Sequence, residues 1–210
     1  MLVNLNGFSD GLSRLIAITA LMESNICGVM VLYGMPQYLH ADPRRKLTKK
    51  TLDQMIQSPA ETWVKALFVY LYYYGVRISE ALAVSVEDFT VDEQNFLSVN
   101  SITLKNPTQD TRTLWVPVDS PHIDFLLTYI KATDTGKLWT YSRQWARVKL
   151  QETYPWITPH GFRHNRLDDF AQLGENPYAL KSWAGWSDIR PGDSYVQSVD
   201  TKKMAKRFFK

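Results

Sequence analysis

Three short stretches of this chain place chemically capable residues at helical spacing. In "YYYGVRISEAL" (Tyr72 to Leu82), Arg77 and Glu80 stand three apart and share a face on a helical turn. In "TPHGFRH" (Thr158 to His164), His160 and Arg163 repeat that spacing just after a Thr-Pro helix start. Such a first turn offers free backbone N–H groups and the positive end of the helix dipole, both suited to phosphate. In "GWSDIRPGDSY" (Gly185 to Tyr195), an indole at Trp186 is followed nine residues later by a tyrosine, after a Pro-Gly-Asp-Ser loop. Each stretch also has a plain explanation: a surface ion pair, a solvated helix start with an incidental histidine, a packed aromatic. The chain has eleven tyrosines, so most are packing residues, and Tyr195 is either one of them or a nucleophile.

The elements that must carry these residues announce themselves by their starts. "SPAE" (Ser58 to Glu61) combines a Ser N-cap, Pro at the first position and Glu at the third, which predicts a helix to Tyr74. Gly75 ends it by taking the left-handed conformation. Ser120-Pro121 predicts a helix to about Ala132, and "SRQWARVKLQE" (Ser142 to Glu152) predicts another. Thr158-Pro159 and Asn176-Pro177 start two more. "FLSVNSITL" (Phe96 to Leu104) and "RTLWVPV" (Arg112 to Val118) are rich in strand formers, and the turn-rich "KNPTQDT" joins them into a β-hairpin. The expected fold class is mainly α with a small antiparallel β-sheet (α+β).

With 210 residues, the chain has room for one good core, or one domain plus an arm. Residues 1–43 read as a short apolar N-terminal arm, helical from about Ser9 to Met22, with a linker. Residues 44–210 read as the main domain with a basic tail. The net charge of +3 argues for no partner, but its distribution does. "RRKLTKK" (Arg44 to Lys50) and "TKKMAKRFFK" (Thr201 to Lys210) each hold five cations and no acid. Such patches are either a footprint for a polyanion or two solvated faces. In the first case Arg44, Arg45, Lys46, Lys49 and Lys50 contact the polyanion. The single cysteine, Cys27, permits no disulfide within the chain and suits a reducing cytoplasm. No Cys/His cluster has zinc spacing, no acidic cluster suits magnesium and no Gly-rich loop suits a nucleoside triphosphate. No membrane-length apolar run and no signal peptide stand out, so a soluble intracellular protein is expected, with no membrane partner.

Taken in order, the three stretches resemble the tyrosine recombinases, or phage-type integrases, over roughly Leu47 to Val199. "GVRISEAL" resembles the family's Gly-x-Arg-x-x-Glu box and "HGFR" its His-x-x-Arg box. "AGWSD" with Tyr195 resembles the Gly-His or Gly-Trp stretch that precedes the family's nucleophilic tyrosine. The Gly-Trp variant and the compact "RPGDSY" loop look more like archaeal or archaeal-virus integrases than the common bacterial ones.

The resemblance implies roles. Tyr195 would be the nucleophile, and Arg77 and Arg163 would bind the scissile phosphate. His160 would help handle the tyrosine proton, and Glu80 would support Arg77. Trp186 replaces the commoner histidine; its indole N–H can donate to a phosphate oxygen but cannot carry a proton. Lys105 matches the family's hairpin lysine, with Arg112 as the rival cation and a further DNA contact. The implied function is site-specific DNA recombination or integration, a mobile-element activity, through a 3′-phosphotyrosine, without metal, ATP or other cofactor. Implied partners are double-stranded DNA and further copies of the chain, from dimer to tetramer. The implied location is the cytoplasm at the nucleoid, or the host cytoplasm for a viral protein. The 1–43 arm would be a remnant, a minimal version or a truncation of the separate helical domain that completes the family's clamp on DNA.

The chemistry of these residue types agrees. Attack on a phosphodiester adds negative charge to the non-bridging oxygens, which two guanidiniums can clamp bidentately. A phenol of pKa ~10 needs nearby positive charge or a base to attack at neutral pH. The leaving 5′-hydroxyl needs a proton, which a lysine ammonium can supply. Two rivals remain: a type IB topoisomerase-like enzyme, against which the short chain argues, and a silent DNA-binding regulator with the same fold, against which every reactive position is filled. The tail, with Met204, Phe208 and Phe209 along one edge, either docks on a neighbouring protomer or packs on its own domain.

Overall fold

The computed structural model describes residues 46–104 and 111–197. The N-terminal arm, Cys27, Arg44, Arg45, Lys105, the hairpin turn and the basic tail lie outside the described residues. Two helices open the described part: α1 (Lys49–Gln57) and α2 (Thr62–Tyr74). The sequence of α2, TWVKALFVYLYYY, is apolar nearly all round, and such a helix must be buried on most sides. Val64, Leu67, Phe68, Leu71 and Tyr74 are accordingly buried in the main core. Gly75 ends α2 with φ 59°, as its position predicts. A Cβ at Gly75 would stand 2.8 Å from Cβ of Arg166, so the site demands glycine on both counts.

Helix α1 was not anticipated, because its cations masked its pattern. Thr48 caps it by accepting from Thr51 N (3.3 Å), and Leu52 and Met55 bury its inner face while Lys49 and Lys50 stay exposed. The capping box expected at Ser58 is absent. Ser58 Oγ instead donates to Met55 O (2.7 Å) and closes α1, so α2 begins at Thr62. Glu61 does not reach back; its carboxylate accepts from Trp63 Nε1 (2.8 Å).

A short helix α3 (Ile78–Ala81) and one 3-10 turn (Val86–Asp88) lead into the sheet. Its order is β1 (Phe89–Val91), β2 (Phe96–Ile102), β3 (Thr111–Pro117), all antiparallel. The β2–β3 pair is the expected hairpin, while β1 is too short to leave a periodic signal. Leu97 faces Val116 and Val99 faces Leu114 in register, and this inner face joins the core. Tyr74 Oη donates to Leu97 O (2.8 Å), pinning the sheet to α2.

Helix α4 (Ile123–Ala132) starts later than Ser120-Pro121 predicts. His122 sits between them at φ 64°, which no right-handed helix accommodates. Helix α5 (Arg143–Thr153) follows with Ser142 as N-cap, as expected. The last three helices are α6 (Pro159–Gln172), α7 (Pro177–Ala184) and α8 (Arg190–Gln197). Thr158 and Asn176 cap the first two through their side chains, each with Pro just inside. The stretch read as a Pro-Gly-Asp-Ser loop is instead the opening of α8. Pro supplies the helical φ at that start, and Gly192 allows close packing: a Cβ there would meet Pro177 O at 2.9 Å. These helices share a second, smaller core of Leu167, Ala171, Leu180 and Ala184. No described helix is long and apolar enough to cross a membrane.

Candidate active site

The end of α2 is the anchor of the site. The last carbonyls of a helix have no partner within it, and here other helices supply them. Arg166 donates twice to Tyr72 O (3.1 and 2.7 Å), Trp183 Nε1 donates to Tyr74 O (2.9 Å), and Arg163 Nη1 reaches Gly75 O (3.4 Å). Arg163 Nη2 also donates to Ala184 O (2.7 Å), the last residue of α7. One guanidinium therefore joins the negative ends of two helices, a favourable place for a cation. Its residue is only 3% exposed. Burial, and then the neighbouring charge of Arg77, lower its pKa to about 10, so it stays protonated at neutral pH.

Arg77 lies just past the Gly75 break, at the N-cap of α3. The Arg77–Glu80 pair is present, but it is no surface pair. Glu80 is fully buried and holds two arginines: Oε1 lies 2.6 Å from Arg77 Nη1 and Oε2 lies 2.9 Å from Arg112 Nη2. Its Oε2 also accepts from Arg77 N (3.1 Å). Burial would raise the Glu80 pKa, yet the Arg112 and Arg77 contacts outweigh it and hold the carboxyl below its ordinary value.

Arg112, expected as a DNA contact and a rival to Lys105, has other work here. Its Nε donates to Trp183 O (2.9 Å), its Nη1 to Thr103 Oγ1 (2.7 Å) and its Nη2 to Glu80 (2.9 Å). All three guanidinium nitrogens are thus committed inside the protein, and the residue ties β3 to α7. Gly185 makes room for it: at φ 63°, any Cβ there would collide with this guanidinium and with Thr103 Oγ1. Lys46 is exposed and pairs with Asp168 at 2.6 Å.

Tyr195 comes to the same place from α8. Its ring stacks on Trp186 (centroids 5.9 Å apart, 22° between planes), and Arg163 lies over the other aromatic system, 5.6 Å from the Trp186 ring. Burial raises the Tyr195 pKa, the Arg163 charge opposes this, and Asp168 adds to it; the net direction is upward. The phenol is therefore protonated at neutral pH.

A hydrogen-bond partner of that phenol is His164, which the sequence motifs did not single out. The Tyr195 hydroxyl and His164 Nδ1 are 2.5 Å apart. His160, one turn earlier on α6, packs its ring edge-on against His164, with centroids 4.3 Å apart. The signal was available in "HGFRH": positions four apart share a helix face. The structure thus brings Arg77, Glu80, Arg163, Trp186 and Tyr195 to one region, with His160 and His164 on the neighbouring face of α6.

The Arg77 and Arg112 guanidiniums converge on the Glu80 carboxylate and Arg163 lies within their field, so the cluster keeps excess positive charge. That is an electrostatic receptor for an anion, with a phenol stacked at its edge.

No protein-family model matches the sequence, and no curated protein matches it. Solved structures do match in three dimensions. The XerH site-specific recombinase bound to difH substrate aligns with TM-score 0.61 and 13% identity, over 79% of this chain and 53% of that one. The XerA recombinase gives TM-score 0.60 and 15% identity, over 79% and 64%. The catalytic domain of bacteriophage HP1 integrase gives TM-score 0.50 and 16% identity, over 74% and 89%. This chain therefore spans less than two thirds of the length of the two Xer recombinases. The mostly helical architecture with its three-stranded antiparallel sheet is the fold of tyrosine recombinase catalytic domains.

Proposed function

We propose that this chain is the catalytic domain of a tyrosine-type site-specific DNA recombinase or integrase, which cleaves and rejoins double-stranded DNA through a 3′-phosphotyrosine. The observation that carries this reading is the meeting of Tyr195 with the Arg163–Arg77–Glu80 cluster, from segments far apart in sequence, on a single chain. Arg77 and Arg163 bind the two non-bridging oxygens of the scissile phosphate and stabilise the charge that builds there. Trp186 donates its indole N–H to the same phosphate and contributes no proton transfer. Glu80 and Arg112 position Arg77 rather than touch DNA. Lys105, between the two hairpin strands in sequence, protonates the leaving 5′ oxygen. His160 belongs to the group that handles the tyrosine proton.

Lys49 and Lys50 on the exposed face of α1, with Arg44, Arg45 and Lys46 before them, track the DNA backbone. Multiple copies assemble on DNA, and the protein acts wherever that DNA resides. The chemistry calls on neither metal nor ATP, since the phosphotyrosine stores the energy of the broken bond.

The test is covalent capture. Nicked duplex DNA of random sequence, from which the cleaved strand diffuses away, is incubated with the protein and resolved on a denaturing gel. A protein–DNA adduct is expected from the natural chain and none from Tyr195→Phe. An adduct surviving in Tyr195→Phe, or none from the natural chain at any DNA concentration that gives binding, overturns the reading.

A further inference from the structure

We propose that His164 is the general base that takes the proton of Tyr195 during cleavage and returns it during rejoining. The inference rests on the recombinase reading above, but its observation is separate: His164 Nδ1 lies at hydrogen-bond distance from the Tyr195 hydroxyl. The two rings lie 5.7 Å apart and are tilted by 37° rather than stacked. The ring of His160 packs edge-on against His164.

The protonation states fit the role. The phenol stays protonated because burial outweighs the pull of Arg163. The His164 pKa is lowered, first by burial and then by Arg163, so the imidazole is neutral at neutral pH. A neutral imidazole has one donor and one acceptor nitrogen. With Nδ1 facing a protonated phenol, the matching form carries its hydrogen on Nε2. The charged and titratable groups around this pair are Arg163, His160 and Asp168 of α6, with Asp168 itself paired to Lys46, and Tyr195 of α8.

The step balances. As Tyr195 Oη bonds to phosphorus, its proton passes to His164 Nδ1, which becomes an imidazolium. The P–O5′ bond breaks and the 5′ oxygen takes a proton from the separate donor, Lys105. On rejoining, the 5′-hydroxyl gives its proton back to that donor, O5′–P re-forms, Oη–P breaks, and His164 returns its proton to Oη. A base placed in this way is worth on the order of 100-fold or more in rate.

Two measurements test the assignment. The first reads the hydrogen bond without any DNA: the nitrogen chemical shifts of His164 in the full chain at neutral pH. The Nε2–H form is expected in the natural chain, with its titration midpoint moved in Tyr195→Phe. An Nδ1–H form, or no response to Tyr195→Phe, overturns the proposal. The second is the single-turnover rate of adduct formation on the nicked random-sequence duplex. His164→Ala and His164→Gln are expected to bind DNA as the natural chain does and to form adduct on the order of 100-fold more slowly. The natural chain's rate should rise with pH through the lowered His164 pKa and then level off. Both variants should lose that limb, and added imidazole should restore part of the rate in His164→Ala. The Gln variant keeps the volume and a hydrogen bond, so its slowing is not a folding defect. Rates within about threefold of the natural chain in either variant overturn the base assignment. An intact His164–Tyr195 bond in a natural chain that forms no adduct would instead overturn the recombinase reading, and the proton-transfer role with it.

Discussion

The site has two halves, and they are built differently. The arginine half grows out of the main core: Glu80 is fully buried, Arg163 is nearly so, and Arg112 makes hydrogen bonds with all three guanidinium nitrogens. The tyrosine half stands on α8, where Gly192 is the buried residue and Tyr195 and Val196 are only partly covered by the smaller core. Transition-state charge is stabilised best by dipoles and charges that need no rearrangement, which calls for an over-determined cluster. In the proposed reaction the nucleophile must advance on phosphorus and later leave it, which calls for a lightly held one. The contrast fits a division between a fixed anion receptor and an attacking group that can be withdrawn.

The largest effect expected is at the lightly held end. Tyr195→Phe should abolish covalent adduct while changing unfolding stability by less than about 1 kcal/mol, since it removes one partly exposed hydroxyl. A large loss of stability on chemical denaturation would mean that α8 is as firmly built as the arginine cluster. Next comes Arg163→Ala, which should lower cleavage by roughly 100-fold to 1,000-fold. It should also cost about 2–4 kcal/mol in stability, because two helix-end carbonyls, Gly75 O and Ala184 O, lose their donor. Arg77→Ala should match it in cleavage but cost less stability, as Glu80 keeps Arg112. DNA affinity should fall only modestly in both; a fall as large as that in cleavage would make them backbone contacts and nothing more.

Glu80→Gln tests the brace itself. It leaves Arg77 and Arg112 without their counter-charge and should cost about 3 kcal/mol, the scale for breaking a buried pair from one side. The Glu80 pKa is depressed in the fold, so its contribution is present above the unfolded carboxyl value and is lost as pH falls through the folded one. The stability gap between the natural chain and Glu80→Gln should therefore close in acid, below about pH 4. A gap constant from pH 7 into that range would show that the carboxylate charge is not what holds the arginines. The smallest effect is expected for Gly192→Ala. Its new Cβ meets Pro177 O and should shift α8 at a cost of about 1 kcal/mol. Adduct formation should slow several-fold while the arginine half, read by DNA affinity, is unchanged.

Residue types and spacings alone determined which groups were available: a pair three apart at Arg77 and Glu80, a capped and Pro-started α6 carrying Arg163, and a tyrosine nine residues after Trp186. These are local facts, set by caps, glycine conformation and helical periodicity within a few residues. The starts at Thr158-Pro159 and Asn176-Pro177 were legible for that reason, while Ser58 misled because a serine can close one helix as readily as open the next. Only the tertiary structure decided who meets whom. Arg163 reaches a carbonyl 88 residues away, Arg112 one at 71 residues and a carboxylate at 32, and Tyr195 a histidine at 31. No periodicity encodes such pairings; they follow from the packing of α2 against the sheet, α6 and α7. That packing turned Arg112 from a free cation into a tie, Glu80 from a surface partner into a buried brace, and His164 from an unremarked neighbour of Arg163 into the partner of the phenol.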